Sequence, residues 1–251
     1  MKVILLVIYI LIIVVWAIIS LVAMALAWLY SLLFDPEHRP VMALSRPAAR
    51  MVYHFSPVWR VKVEGAEKLD PKQTYVLTCN HQSFFDIPLA FFLPLWKFKF
   101  VSKVEVRNIP AIGWMLGMRG DIVIRRGTSA AATTVMSEGT KHLRAGTSVF
   151  IFPEGTRTKD GNIHRYKDGA FRLAQENGVA IAPCVMLGTK GLFKGGRLNS
   201  RHLVLRILDP ISAEEVKAKP ARELAERVRE ASVAALEEMK KSVPCASVPC
   251  E

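Results

Sequence analysis

Cysteine is scarce in this chain. Four occur in 251 residues, at positions 79, 184, 245 and 250, with no Cys-x-x-Cys pair and no histidine at ligand spacing. That excludes a disulfide-stapled secreted scaffold and a zinc module, so the thiols read as reduced and no metal site is expected. Acidic residues are outnumbered, 22 against 34 basic, which leaves a net charge of +12. A surplus of that size points to an anionic partner: nucleic acid, a membrane surface or a phosphorylated substrate. Internal repeats and blocks of like charge are absent, and so are a helix-turn-helix pattern and a basic-aromatic surface signature. The absence of the last two weighs against a nucleic-acid binder.

The most pronounced absence lies at the N-terminus. Residues 3–34 contain no charge, no glycine and no proline. An apolar run longer than about 18 residues reads as a membrane helix. At a rise of about 1.5 Å per residue this one would reach about 48 Å, against a hydrocarbon core of about 30 Å. Two arrangements fit: a tilted span, or a break into two shorter helices sunk in one leaflet, and the excess length favours the second. The run is too long for a cleaved signal peptide. Arg39, Arg46, Arg50, Arg60 and Lys62 follow it, while only Lys2 precedes it. This bias places the remaining chain on the cytoplasmic side of the inner membrane.

Four regions are expected: a membrane-embedded segment at 1–34, a connector with one short helix at 35–59, a catalytic domain at 60–241 and a flexible tail at 242–251. Within the domain, short apolar strands are expected at 61–63, 74–78, 98–101, 121–124, 148–152, 179–185 and 203–208. Helices are expected between them at 84–93, 110–118, 128–145 and 168–177, and a last helix at 221–241. Such alternation predicts an α/β fold with a mostly parallel central sheet flanked by helices. The last helix carries Leu224, Val228, Ala231, Ala235 and Met239 on one stripe and is expected to cover the sheet.

Two segments carry chemistry. In Asn80-His81-Gln82-Ser83-Phe84-Phe85-Asp86, a histidine at a strand end and an aspartate on the next helix can meet. The carboxylate would fix the imidazole tautomer and leave the other nitrogen to take a proton from a hydroxyl. On its own, His-x4-Asp is more often a surface histidine beside a helix cap. In Phe152-Pro153-Glu154-Gly155-Thr156-Arg157, a proline ends a strand, a glycine allows close approach and an arginine offers paired donors to an anion. Alone, it reads equally well as an ordinary tight turn.

Together, in this order and 73 residues apart from His81 to Glu154, the two segments resemble the glycerolipid acyltransferase family, which contains the lysophosphatidic acid acyltransferases. Ser102-Lys103-Val104-Glu105, the Gly120–Arg126 segment and Val179-Ala180-Ile181-Ala182-Pro183 resemble further blocks of that family, so the likeness covers roughly residues 60–190. The resemblance implies transfer of an acyl chain from acyl-CoA or acyl carrier protein to the sn-2 hydroxyl of lysophosphatidic acid, giving phosphatidic acid. It implies His81 as base, Asp86 as its partner, and Lys103, Arg125, Arg126 and Arg157 around the acceptor phosphate. Two arginines, 125 and 126, stand where either could make that contact. Glu154 would hold the loop or the acceptor, Thr156 would offer a donor, and the amide region at Gly155 would assist the oxyanion. The thioester is already activated, so no cofactor is expected. The alternatives are the same chemistry on a lysophospholipid, a lyso-ornithine lipid or glycerol 3-phosphate, and a membrane-tethered basic binding protein.

Overall fold

The computed structural model describes residues 2–56, 58–125, 127–194, 197–199 and 201–242. With nothing in 3–34 to interrupt the hydrogen-bond ladder, one unbroken helix, α1 (Lys2–Phe34), forms. The expected break inside this segment is not there, because it contains neither proline nor glycine and no charged group to draw the backbone toward water. The chain turns instead at Asp35-Pro36-Glu37-His38. There the Asp35 carboxylate accepts the Glu37 and Arg39 amides at 3.3 and 2.9 Å, capping α2 (Arg39–His54). The connector is thus a 16-residue helix rather than a short one. Proline at the first turn costs α2 no bond, while Pro47 in its interior forfeits one.

The hairpin packs by one stripe. Tyr9, Met24 and Ser31 of α1 are buried against α2 and the domain, and α2 buries Val41, Met42, Ser45, Ala49 and Tyr53. Each large apolar side chain so removed from water contributes about 1.5–3 kcal/mol. Leu6, Ile13, Leu21 and Trp28 flank that stripe half-buried, and the opposite face stays exposed along its length, from Ile4 and Val7 through Ile18 and Leu26 to Leu33 and Phe34.

The domain follows as β1 (Trp59–Glu64), β2 (Tyr75–Cys79), α3 (Asp86–Ala90), β3 (Phe98–Lys103), α4 (Ile112–Met118), β4 (Ile122–Ile124), α5 (Ser129–Arg144), β5 (Ser148–Ile151), α6 (Gly169–Asn177), β6 (Ala180–Leu187), β7 (Phe193–Lys194), β8 (Arg197–Leu198), β9 (Arg201–Ile207), α7 (Ala213–Ala218) and α8 (Ala221–Ser242). Seven strands form one sheet in the order β1-β9-β6-β2-β5-β3-β4, and only β6 and β9 run antiparallel. The fold is the expected mostly parallel sheet flanked by helices. The strands β7 and β8, outside the strands expected from the sequence, pair with each other. Helix α7, held by the Ser212 hydroxyl accepting the Glu215 amide, was not foreseen.

Side-chain alternation divides the core. On β2, Tyr75, Leu77 and Cys79 face the hairpin, while Val76 faces the cluster under α6 and α8. On β5, Phe150 faces the hairpin and Val149 and Ile151 face away. Helix α8 covers that second face with Leu224, Val228, Ala235 and Met239, whereas Ala231 is exposed and its place in the buried stripe is taken by Ser232. The expected tail from residue 243 onward, with Cys245 and Cys250, lies outside the described residues.

Candidate active site

Strand β2 ends at Cys79, and the next residue fixes its exit. Asn80 is fully buried. Its Oδ1 accepts the Met186 amide at 2.8 Å and its Nδ2 donates to the Met186 carbonyl at 3.0 Å, so a side chain continues the ladder to β6. His81 then leaves the sheet on the hairpin side, in phase with Leu77 and Cys79.

The His81 Nδ1 lies 2.7 Å from Asp86 Oδ2. The same carboxylate oxygen accepts the Gln82 and Ser83 amides at 2.7 and 2.8 Å, and Thr189 Oγ1 donates to Oδ1. Asp86 is the first residue of α3 and completely buried. A buried carboxylate with this many donors is held in one rotamer. It fixes His81 as the tautomer protonated on Nδ1, with Nε2 as the free acceptor. Among the described residues Nε2 has no protein partner. The Phe152 ring stacks on the imidazole with centroids 3.9 Å apart and planes at 18°, which blocks rotation of the base.

The loop after β5 is bound to this turn. Glu154 Oε1 accepts the His81 amide at 2.9 Å, Oε2 accepts the His164 amide at 3.1 Å, and the Thr158 amide donates to the His81 carbonyl at 2.8 Å. Burial pushes the Glu154 carboxyl up, and the two amides offset part of that shift. Its oxygens are spent on backbone, so of its two expected roles the loop-holding one fits the geometry. Gly155 sits at φ 75°, and a Cβ there would meet Lys167 Nζ at 2.9 Å, which places a further cation beside the loop. The Gly155 amide itself donates to the Phe152 carbonyl at 3.0 Å across the turn, which leaves the neighbouring amides of that region open. The amides of Thr156 and Arg157 have no acceptor among the described residues.

The expected phosphate ligands share the carboxyl edge of the sheet with His81. Neighbouring strands β2, β5, β3 and β4 end there in His81, the Phe152–Arg157 loop, Lys103 and Arg125 in turn. Such an edge is where open α/β sheets bind ligands. Thr156, Arg157 and Arg125 are exposed, and among the described residues Arg157 has no hydrogen bond or ion pair. Lys103 pairs with Glu105 at 2.9 Å. Arg126 lies outside the described residues. The Val179–Pro183 block is the start of β6 and its flank, in register with β2 in the middle of the sheet.

Sequence reasoning missed Thr189 and Tyr53, whose hydroxyl donates to the Phe85 carbonyl just before Asp86. Neither carries a local motif, and both reach the site from distant segments. It also missed that His142 has a buried carboxylate partner, Glu37 Oε2 at 3.0 Å. That pair, with Lys99 and the Arg119–Asp121 ion pair at 2.9 Å, joins the hairpin turn to the domain. Lys99 donates to the carbonyls of Glu37 and Arg119, and burial lowers its pKa to about 8. Cys79 and Cys184 are register partners, both buried with free thiols whose ionisation burial disfavours.

Comparison with known proteins places this geometry. The sequence profile described as Acyltransferase matches residues 60–187. A chloroplastic 1-acyl-sn-glycerol-3-phosphate acyltransferase of Arabidopsis thaliana is 37% identical over 169 residues, covering 62% of this chain and 47% of that protein. The chain thus spans about half the length of such plastid relatives. The alpha form from Bos taurus is 33% identical over 194 residues, covering 75% of this chain and 68% of the relative. Among solved structures, the 1-acyl-sn-glycerophosphate (LPA) acyltransferase PlsC of Thermotoga maritima superposes with a TM-score of 0.72 at 25% identity, covering 92% of this chain and 95% of that one. With the matched profile spanning the strands that carry His81, Asp86 and the Phe152–Arg157 loop, the chain belongs to the acyltransferase family that includes the 1-acyl-sn-glycerol-3-phosphate acyltransferases.

Proposed function

We propose that the protein transfers a fatty acyl chain from an acyl thioester, on coenzyme A or acyl carrier protein, to the sn-2 hydroxyl of lysophosphatidic acid, forming phosphatidic acid. The observation that carries this reading is the His81–Asp86 pair at 2.7 Å, with Nε2 open on the sheet edge that also presents Lys103, Arg125 and Arg157. The names of the relatives supply the acceptor.

In this mechanism His81 Nε2 removes the proton from the acceptor hydroxyl as its oxygen attacks the thioester carbonyl. A carbon–oxygen bond forms, and the negative charge moves to the carbonyl oxygen, within reach of the free Thr156 and Arg157 amides. The tetrahedral intermediate collapses with cleavage of the carbon–sulfur bond. The imidazolium returns its proton to the leaving thiolate. Asp86 stabilises the imidazolium without itself changing protonation. Arg157, Arg125, Arg126 and Lys103 hold the phosphate, and no step is assigned to a cofactor.

Packing supports one membrane arrangement. Helix α1 is long and apolar enough to cross a bilayer, with a mean hydropathy of 3.1 over Leu6–Phe34. Its buried stripe, however, runs from Tyr9, bonded to the Val52 carbonyl at 2.6 Å, to Ser31. A crossing α1 would drag Arg39, Arg46 and Arg50 of α2 into hydrocarbon, at a cost of several kcal/mol. We place α1 lengthwise in the cytoplasmic leaflet of the inner membrane, with His81 on the same face at headgroup depth. An apolar groove of about 240 Å³ between α1, α2 and α4, bordered by Ile87 and Pro88 of α3, offers a lipid tail a path beside Asp86.

The test is transfer by the purified protein, in neutral micelles, to lysophosphatidic acid, lysophosphatidylcholine, a lyso-ornithine lipid and glycerol 3-phosphate, with both thioester donors. Preference for lysophosphatidic acid is expected. Preference for an acceptor without a phosphate monoester would overturn the assignment of the acceptor.

A further inference from the structure

Away from the sheet edge, a cavity of about 570 Å³ lies between the second half of α2, the start of β1 and the segment after α3. Three arginines line it. Arg46 donates from Nε and Nη2 to the Phe91 and Leu93 carbonyls at 3.3 and 2.7 Å. Arg50 donates from Nε to the Phe91 carbonyl at 2.8 Å, with its guanidinium 5.0 Å above the Phe92 ring. Arg60 is exposed and, among the described residues, bonds only its neighbour's carbonyl, Trp59 O, at 3.1 Å. No carboxylate lies within ion-pair distance of any of the three among the described residues.

This is an unusual charge balance. Burial pushes both α2 guanidinium groups down, and Arg46 adds repulsion to Arg50. Two like charges are held one helical turn apart, anchored by part of their donors, with the remaining donors free and no counter-ion among the described residues. Guanidinium forks of this kind match phosphate oxygens. The cavity also adjoins the lipid-facing helix. Its wall residue Trp59 packs edge-on against Tyr9 of α1 with centroids 6.0 Å apart, beside the exposed Ile4, Val7 and Ile8.

We infer that this cavity binds the phosphodiester headgroup of an anionic phospholipid, at a site separate from the acceptor phosphate site. A lipid there would lie with its tails along α1 and its phosphate between Arg46, Arg50 and Arg60. The site also backs onto the catalytic turn. Trp59 packs on Phe85 with centroids 5.6 Å apart, and Tyr53, another wall residue, holds the Phe85 carbonyl. The headgroup site sets the depth of the hairpin and, through these two rings, supports the segment that carries Asp86.

The test uses the full chain in neutral detergent micelles. Binding of dihexanoyl phosphatidylglycerol, dihexanoyl phosphatidylcholine and inorganic phosphate is measured by calorimetry. Wild type is expected to bind phosphatidylglycerol at least tenfold more tightly than the other two. Loss of each arginine contact should weaken that binding about fivefold, so an Arg50→Gln, Arg60→Gln double variant should lose about 25-fold. Arg60→Gln alone, which breaks no bond between segments, should lose about fivefold with unchanged melting. Arg157→Ala should bind phosphatidylglycerol like wild type, which separates this site from the acceptor site whether or not the proposed reaction is correct. Equal binding of the two lipids, or wild-type binding by the double variant, would overturn the site. Phosphate binding as tight as phosphatidylglycerol would overturn the lipid assignment.

Discussion

The two halves of the site are built differently. Around His81 and Asp86 nearly every polar atom has a protein partner: Asp86 has four, Glu154 has a backbone amide on each oxygen, and Asn80 is locked to β6. Around Arg157, Arg125 and Thr156 almost nothing is engaged, and the groups are exposed. A base must be oriented before substrate arrives, because an imidazole free to rotate loses much of its catalytic value. Phosphate ligands held by carboxylates in the free enzyme must be released before they grip the acceptor, as Lys103 must be from Glu105. Preorganisation is thus concentrated on the proton-transfer half, while the anion half is completed by the acceptor.

The first way to break this contrast is at the base. His81→Ala removes the proton acceptor and is expected to lower turnover by at least about 10²–10⁴-fold, with the fold and membrane association kept. Turnover close to wild type, measured with purified protein, would remove His81 from the reaction. Next comes the staple. Glu154→Gln turns an NH2 toward one of the two backbone amides that now donate to the carboxylate. An unsatisfied buried group costs about 1–3 kcal/mol, and each kcal/mol lowers melting by about 2–4 °C in a chain of this size. We expect that loss of melting temperature together with a turnover defect smaller than that of His81→Ala. A defect without any loss of stability would mean that Glu154 touches substrate.

The smallest effect concerns the joint between hairpin and domain. Lys99 has its pKa lowered to about 8 by burial, against about 10.4 unfolded. Between those values the unfolded chain binds more protons, so stability rises with pH as the cost of burying the ammonium is relieved. Lys99→Met should flatten the rise in melting temperature between about pH 8 and pH 10. An unchanged slope would show that the ammonium is compensated by its carbonyl partners.

The contrast also governs how much could be read in advance. The strands and most helices were legible because their apolar runs are short and their periods clear, and α1 because nothing polar interrupts it. The His81–Asp86 pair and the Phe152–Arg157 loop are local in sequence, so spacing placed them together. What escaped is what the fold brings from afar: Thr189 onto Asp86, Phe152 flat against His81, Tyr53 behind Phe85, and the His142–Glu37 pair joining residues 105 positions apart. Of the two arrangements weighed, the two-helix one was favoured over the single helix because the length was judged against bilayer thickness. Its partner α2 carries three arginines, two prolines and a histidine among its 16 residues, so only a short connector helix was expected there.

The most direct test of the contrast is one steady-state series on two variants, with lysophosphatidic acid as varied acceptor and the thioester saturating. Asp86→Asn should lower kcat by about 10²–10⁴-fold with little change in the acceptor KM, because it disturbs the base and not the phosphate. Arg157→Ala should raise the acceptor KM with kcat largely kept, and Arg157→Lys should restore only part of it, since the paired geometry is lost. That split is the result the account predicts. If both variants moved the same constant, the site would act as a single unit and the division drawn between its two halves would be contradicted.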